Sequence, residues 1–149
     1  MSKLRVLLDT NVIVSGLVFP QGNEHRILEL AEEQDITLIL PEFVLQEAKY
    51  VFSKRFVGYE FLLDIFLSKT DYRLVNRARV GPLINRYQGA VRDPKDIAIL
   101  VSVLLSKPDC TVTGDKTLRF DLQNILVGKM RTTVFSPKQF LDFYAKTLI

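Results

Sequence analysis

Four carboxylates of this chain stand where carboxylates are costly. Asp9 interrupts the apolar run "VLLDTNVIVS" (6–15), and Asp115 follows the short apolar segment in "VTGDKTL". Asp96 opens the strongly apolar "DIAILVSVLLSK" (96–107), with Asp93 just before it in "RDPKD". Glu47 has Phe43, Val44, Tyr50 and Val51 three and four positions away, so in a helix it lies beside an apolar stripe. Unpaired buried charge is expensive. Acids packed together without a counter-charge repel, and some are forced to take up protons.

A divalent cation removes that cost. Mg²⁺ or Mn²⁺ prefers carboxylate and water oxygens, and needs few protein ligands. An acid-only site with open positions suits hydrolysis of phosphoryl bonds, by activating water and neutralising phosphate charge. The single histidine, His25, and the single cysteine, Cys110, argue against a structural zinc site and against Ser–His or Cys–His catalysis. Each acid also has a plain reading. Asp9 and Asp115 suit turns, Glu47 a solvated surface, and Asp96 a helix N-cap favoured by the dipole. Asp93 could cap that helix as well, and one cap does not need two acids.

Such residues need a scaffold that brings distant segments together, and the chain alternates short β-type runs with helical stretches. Strands are expected at 3–8, 36–40, 72–75, 110–113 and 132–135. A helix spans 23–34, with Asn23 as N-cap and Ile27, Leu28, Leu30 and Ala31 on its inner face. Pro41 suits the first turn of the next helix, "PEFVLQEAKYVFSKRF", and "EFLLDIFLSKT" reads as another. The 96–107 segment, apolar on nearly every side, is a buried helix. Ser136, Pro137 and Gln139 mark a capping box at the start of the last helix. Repeated β–α alternation implies a mainly parallel five-stranded sheet with helices on both faces, a three-layer α/β/α sandwich. Ligands in such sheets bind outside the carboxyl ends of the strands, where Asp9 and Asp115 fall.

The bulk properties set wide bounds. A length of 149 residues is that of one domain, 1–149, large enough for a real core. With 48% hydrophobic and 25% charged residues the composition is ordinary for a soluble globular protein. Net charge is +3, too mild to demand a polyanionic partner. Its distribution says more: from Tyr72 to Arg92 there are five arginines (Arg73, Arg77, Arg79, Arg86, Arg92) and no acid. That stretch is either a solvated helix and loop or a phosphate-facing surface. One cysteine excludes an internal disulfide, and Cys110 in "DCTVT" reads as a small core residue. Asp9 and Asn11 break up any signal-like N-terminus, and no segment nears the roughly 18 unbroken apolar residues of a membrane span. A cytoplasmic location is the expectation.

Taken in order, "LLDTNVIVSGL", "PEFVLQEAKYVFSKRF", "RDPKDIAILVSVLL", "TVTGDKTL" and "TTVFSPKQFLDFY" resemble PIN-domain ribonucleases. The nearest branch is the toxins of toxin–antitoxin pairs, including VapC-like proteins. The resemblance covers essentially the whole chain. It implies a parallel five-stranded sheet with its acids in one cleft, and Mg²⁺- or Mn²⁺-dependent cleavage of RNA. Carried over by position, it makes Asp9, Glu47, Asp96 and Asp115 the catalytic acids and metal ligands. Asn11 and Thr113 fall at small polar positions beside the metals. The third motif here reads "DPKDIAIL" where relatives often carry further acids or an asparagine, so Asp93 competes with Asp96 for its role. Relatives frequently have Ser or Thr where this chain has Pro41-Glu42, which alters a cap and not the chemistry. The resemblance also implies a homodimer and a small antitoxin partner; exposed aromatics in "YVFSKRFVGYEF" suit an interface.

On this reading the arginines of 73–92, with Lys54 and Arg55, contact the RNA backbone. Two other functions compete. A haloacid-dehalogenase-like phosphatase also places an Asp after its first strand, but needs a second Asp two positions on, where this chain has Asn11. A non-catalytic module that kept the fold to bind RNA or protein should have lost an acid, and none of the four is missing.

Overall fold

The computed structural model describes residues 3–149. Its centre is a sheet of five strands: β1 (Leu4–Leu8), β2 (Ile36–Pro41), β3 (Tyr72–Val75), β4 (Cys110–Val112) and β5 (Thr133–Phe135). Their order is β3-β2-β1-β4-β5, and every neighbouring pair is parallel. In β1, Val6, Leu7 and Leu8 are all fully buried although successive side chains point to opposite faces. The same holds for Ile36 and for Leu38 to Leu40. Strands buried on both faces require helices on both sides, as the unbroken apolar runs imply.

Among the described residues eight α-helices surround the sheet: α1 (Thr10–Val18), α2 (Asn23–Glu32), α3 (Glu42–Arg55), α4 (Phe61–Lys69), α5 (Arg77–Ile84), α6 (Ile97–Ser106), α7 (Lys116–Leu126) and α8 (Pro137–Thr147). Helix α6 is the expected buried one, with Ile97 and Ile99 to Val103 enclosed. Ser136 and Gln139 close the expected capping box of α8. Cys110 is buried and unpaired. No helix among the described residues is long and apolar enough to cross a membrane.

Two helix starts differ from the sequence reading, and one helix is absent from it, each through a cap. The N-cap of α2 is Gly22 rather than Asn23, which is already helical. Pro41 ends β2 and stands at the N-cap of α3, one place before the first turn. The segment after β1 reads as apolar and β-branched, which disguises α1; Asp9 starts this helix by accepting from the Thr10 amide. Helix α5, with Val80 as its one buried residue, is likewise unmarked by apolar periodicity, whereas α7 carries a clear stripe in Leu118, Leu122 and Leu126 that the sequence reading passed over.

Arg5 fixes the lower end of the β1–β4 pair. Its guanidinium donates to the carbonyls of Ser106 (2.7 Å) and Lys107 (2.8 Å) at the end of α6. Its amide donates to the Asp109 carboxylate at 2.8 Å. From there the register runs Val6↔Cys110, Leu7↔Thr111, Leu8↔Val112, so both strands end level.

Helix α1 packs on α2 through Gly16. A Cβ there would stand 2.6 Å from Leu28 Cδ1 and 2.9 Å from the Glu24 carbonyl oxygen. The leucine can rotate, but the backbone oxygen cannot. Gly16→Ala is therefore expected to destabilise the fold by about 1–2 kcal/mol despite alanine's better helix propensity. Urea denaturation of the variant against the parent protein measures this.

Candidate functional site

Strand order reverses between β1 and β4: the chain winds outward from β1 through β2 to β3, then returns to β4 on the other side. A crevice opens outside the carboxyl ends at such a reversal. There a cleft of about 510 Å³ is lined by Asp9, Asn11, Glu47, Asp93, Asp96 and Asp115, together with Phe43, Tyr50, Val51, Arg55, Lys95 and Ile99. All four acids singled out in the sequence, and Asp93, thus meet in one place.

Asp9 is the first residue past β1. Its Oδ1 accepts from the Thr10 amide at 2.7 Å, and its Oδ2 accepts from the Thr113 hydroxyl at 2.9 Å. That hydroxyl in turn accepts from the Asp115 amide at 3.1 Å. Burial pushes the Asp9 carboxyl above its usual range, with the Asp115 charge adding a smaller push; the two hydrogen bonds pull it back.

Asp115 and Asp93 each do two things. Asp115 Oδ1 caps α7 through the amides of Thr117 (2.9 Å) and Leu118 (3.1 Å). Asp93 Oδ1 accepts from the Lys95 amide at 3.0 Å, capping the short 3₁₀ turn at Pro94–Asp96. Asp96, at the N-cap position of α6, makes no side-chain cap bond at all. Its carboxyl is pushed up to about 6, first by desolvation and then by the charges of Asp93, Asp9, Asp115 and Glu47.

Glu47 stands beside the core face of its helix and not within it. The core face of α3 is Val44, Ala48 and Phe52, and Glu47 stands to one side of it, open to the cleft. Desolvation at the cleft wall and then the Asp9 charge raise its carboxyl, while the Thr10 hydroxyl and Lys95 favour the charged form. Thr10 itself is buried, and its hydroxyl has no hydrogen-bond partner among the described residues. It lies near enough to Glu47 to act on its charge.

Among the described residues, no three His, Cys, Asp or Glu side chains already converge as a ready-made metal cage. Mg²⁺ does not need one, since it commonly takes one or two carboxylates and keeps its remaining waters. An oxygen-only donor set, mutually repelling, with a buried hydroxyl lacking a partner beside it, fits a hard cation.

The basic residues sort differently from the sequence expectation. Arg55 lines the cleft, and Lys54 Nζ sits 5.8 Å from the Tyr50 ring centroid. Arg73 pairs with Asp71 at 2.6 Å. Arg77 is engaged by Gln46 through its guanidinium and by Glu42 through its amide. Arg79 and Arg86 are exposed on α5 and the turn after it, outside the cleft lining. Arg92 grips Asp121 on α7 by its amide (3.0 Å), Nε (3.0 Å) and Nη2 (2.9 Å), and stacks over Phe120 at 5.2 Å. Lys95 and Tyr50 were not expected at the site; the only hint of Lys95 was its place between two acids. His25 lies elsewhere, its Nδ1 2.8 Å from the Gly16 carbonyl.

The family model of the PIN domain matches residues 5–117, a stretch that holds every acid of the cleft. The chain belongs to the PIN-domain family. Uncharacterized protein MJ1680 of Methanocaldococcus jannaschii is 25% identical over 152 residues, spanning 97% of this chain and 94% of that protein. A chain in the crystal structure of VapBC2 from Rickettsia felis, bound to a DNA fragment from their promoter, shares the fold with a TM-score of 0.59. That match covers 89% of this chain and 98% of the other, at 19% identity. Strand β5 and helix α8 lie beyond the matched PIN stretch yet complete the sheet and its cover. Membership leaves the phosphatase reading without support, and position 11 is the asparagine that already argued against it.

Two predictions follow from the electrostatics of this PIN domain and its clasp. The folded-state carboxyl of Asp96, near 6, lies above the ordinary 3.8, so its contribution is fully present below about pH 4 and lost as pH rises through 6. In EDTA, thermal stability is expected to fall across that window. Asp96→Asn, which breaks no cap bond, should raise stability at pH 7 by about 1 kcal/mol once solvent screening is allowed for. Separately, Arg92→Ala frees the loop that carries Asp93 and Asp96 from α7. Hydrogen exchange of the Asp93–Ile97 amides should quicken about tenfold while amides of β1 stay protected.

Proposed function

We propose that this PIN domain is a metal-dependent endoribonuclease that hydrolyses RNA phosphodiester bonds with Mg²⁺ or Mn²⁺. The observation that carries the reading is the meeting of Asp9, Glu47, Asp96 and Asp115 in one open cleft at the sheet's reversal point. PIN domains are generally nucleases. Asp9, Asp96 and Asp115 would hold the cation, with Glu47 engaging a second one or acting through water. When bound, the cation supplies an activated water and neutralises charge on the phosphate.

The chain's own residues then have distinct tasks. Thr113 and the Thr10 amide fix the Asp9 carboxylate before any ligand arrives. Glu47, with its carboxyl raised, is suited to take a proton from the attacking water. Asn11, exposed at the cleft, orients ligand or water. Arg55 and Lys95 at the rim meet the RNA backbone, a task for which Arg73, Arg77 and Arg92 are less free because they hold other partners.

We further propose that the chain is the toxin of a toxin–antitoxin pair acting in the cytoplasm, paired with an antitoxin and with a second copy of itself. The likeness in fold to a chain of VapBC2 supports this, as does the exposed apolar strip of Val57, Tyr59, Phe61 and Ile65.

Cleavage of an RNA oligonucleotide should vanish in EDTA and return with Mn²⁺. Asp9→Asn should lower the rate on the order of 10²-fold or more. Thr113→Val, which leaves every carboxylate in place, should weaken cation affinity about 10- to 100-fold by calorimetry. Undiminished cleavage by the Asp9→Asn/Asp115→Asn double variant, free of contaminating nuclease, would end the proposal. A non-catalytic module would show no acid-dependent binding of Mg²⁺ or Mn²⁺.

A further inference from the structure

The cleft is chemically two-sided. One wall carries Asp9, Asp93, Asp96 and Asp115; the other, formed by α3, presents Phe43, Tyr50 and Val51 beside Glu47. Tyr50 is 62% exposed and takes no part in the core face of its helix, which is Val44, Ala48 and Phe52. A large aromatic ring left open beside five acids has no packing reason to be there. It stands one turn beyond Glu47, about 4.5 Å further along the helix axis, and on the same face. Lys54, a further turn on, holds its ammonium 5.8 Å from the ring centroid, and Arg55 lines the same cleft.

We infer that Tyr50 is a stacking platform for an unpaired nucleobase of the RNA strand, next to the carboxylates that engage its phosphate. The inference rests on the ribonuclease reading and assigns a base-holding residue to that site. Every base has a π-face, so stacking on tyrosine holds a strand without reading its sequence. A base paired within a duplex cannot reach the ring. Lys54 and Arg55 supply the positive charge that tracks the backbone past the ring, offsetting the acidic floor.

The test uses full-length protein and short single-stranded RNA oligonucleotides, each carrying one 2-aminopurine or one abasic position scanned along the strand. The Asp9→Asn protein, whose cleavage is suppressed, is mixed with the 2-aminopurine strands to follow quenching on binding. Quenching at one position is expected, reduced at least tenfold in apparent affinity by adding Tyr50→Ala and kept by Tyr50→Phe. With Asp9 intact, Tyr50→Ala should raise KM about tenfold and change kcat little, and an abasic site at the quenched position should cost nothing further. Duplex RNA of the same sequence should bind no better to the parent than to Tyr50→Ala. Equal quenching and equal KM in Tyr50→Ala and its parent would overturn the inference, as would a loss in Tyr50→Phe equal to that in Tyr50→Ala. Quenching that depends on Tyr50 in a protein that never cleaves would uphold the platform and remove the nuclease. No quenching at any position in a protein that cleaves would do the reverse.

Discussion

The bond from the Thr113 hydroxyl to Asp9, 2.9 Å long, spans the point where β1 and β4 end side by side. It ties residues 104 positions apart in the chain, and the acidic cleft is built around it. The bond requires that the two strands finish level. Their register is secured at the other end by Arg5, which gathers the last carbonyls of α6 and leaves Asp109 to hold the β1 backbone. A slip of one residue would turn Thr113 to the opposite face of the sheet and leave Asp9 buried with one partner fewer. The same hydroxyl receives the Asp115 amide, so one threonine sets the position of two acids.

Holding these acids together costs stability. Burial and mutual repulsion raise the carboxyls of Asp9, Glu47 and Asp96, and each rise measures how far the folded chain disfavours their charge. A protein selected for stability alone would replace at least one of them. Local rules are broken most often where a site needs it, with the loss made good elsewhere. Here the compensation is visible in the buried residues Val6 to Leu8 and Cys110 to Val112 on either side of the reversal and in the Arg92–Asp121 clasp, which anchors the most repulsive loop to α7.

Strands β1 and β2 were legible because their apolar residues are buried on both faces, and the capping box of α8 because its residue pattern names its own hydrogen bonds. Helix α1 was not, since Val12, Ile13 and Val14 continue the composition of β1 and only the Asp9 cap separates helix from strand. The acids were legible as a set through their positions at element ends. Their surroundings were not. The orientation of Glu47 depends on which side of α3 meets the core, a matter of Ala48 and Phe52 rather than of its nearest apolar neighbours. The partners of Arg77 and Arg92 come from residues as far off as Glu42 and Asp121, which no local pattern announces.

A division of labour among the carboxylates follows from the caps. Asp93 and Asp115 each commit an oxygen to backbone amides at the start of a helical turn, and so are held in place by bonds the fold needs anyway. Asp96 occupies the same kind of position and gives nothing to its helix. It is also the acid pushed up farthest, to about 6. A carboxylate that neither caps nor pairs, and that is strained by four neighbouring charges, serves the folded chain in no way that an asparagine would not serve better. Its placement suits a cleft that receives something positive. Among the bland readings of the four acids the helix-cap reading of Asp96 was the most natural from sequence, and its geometry is what removes it.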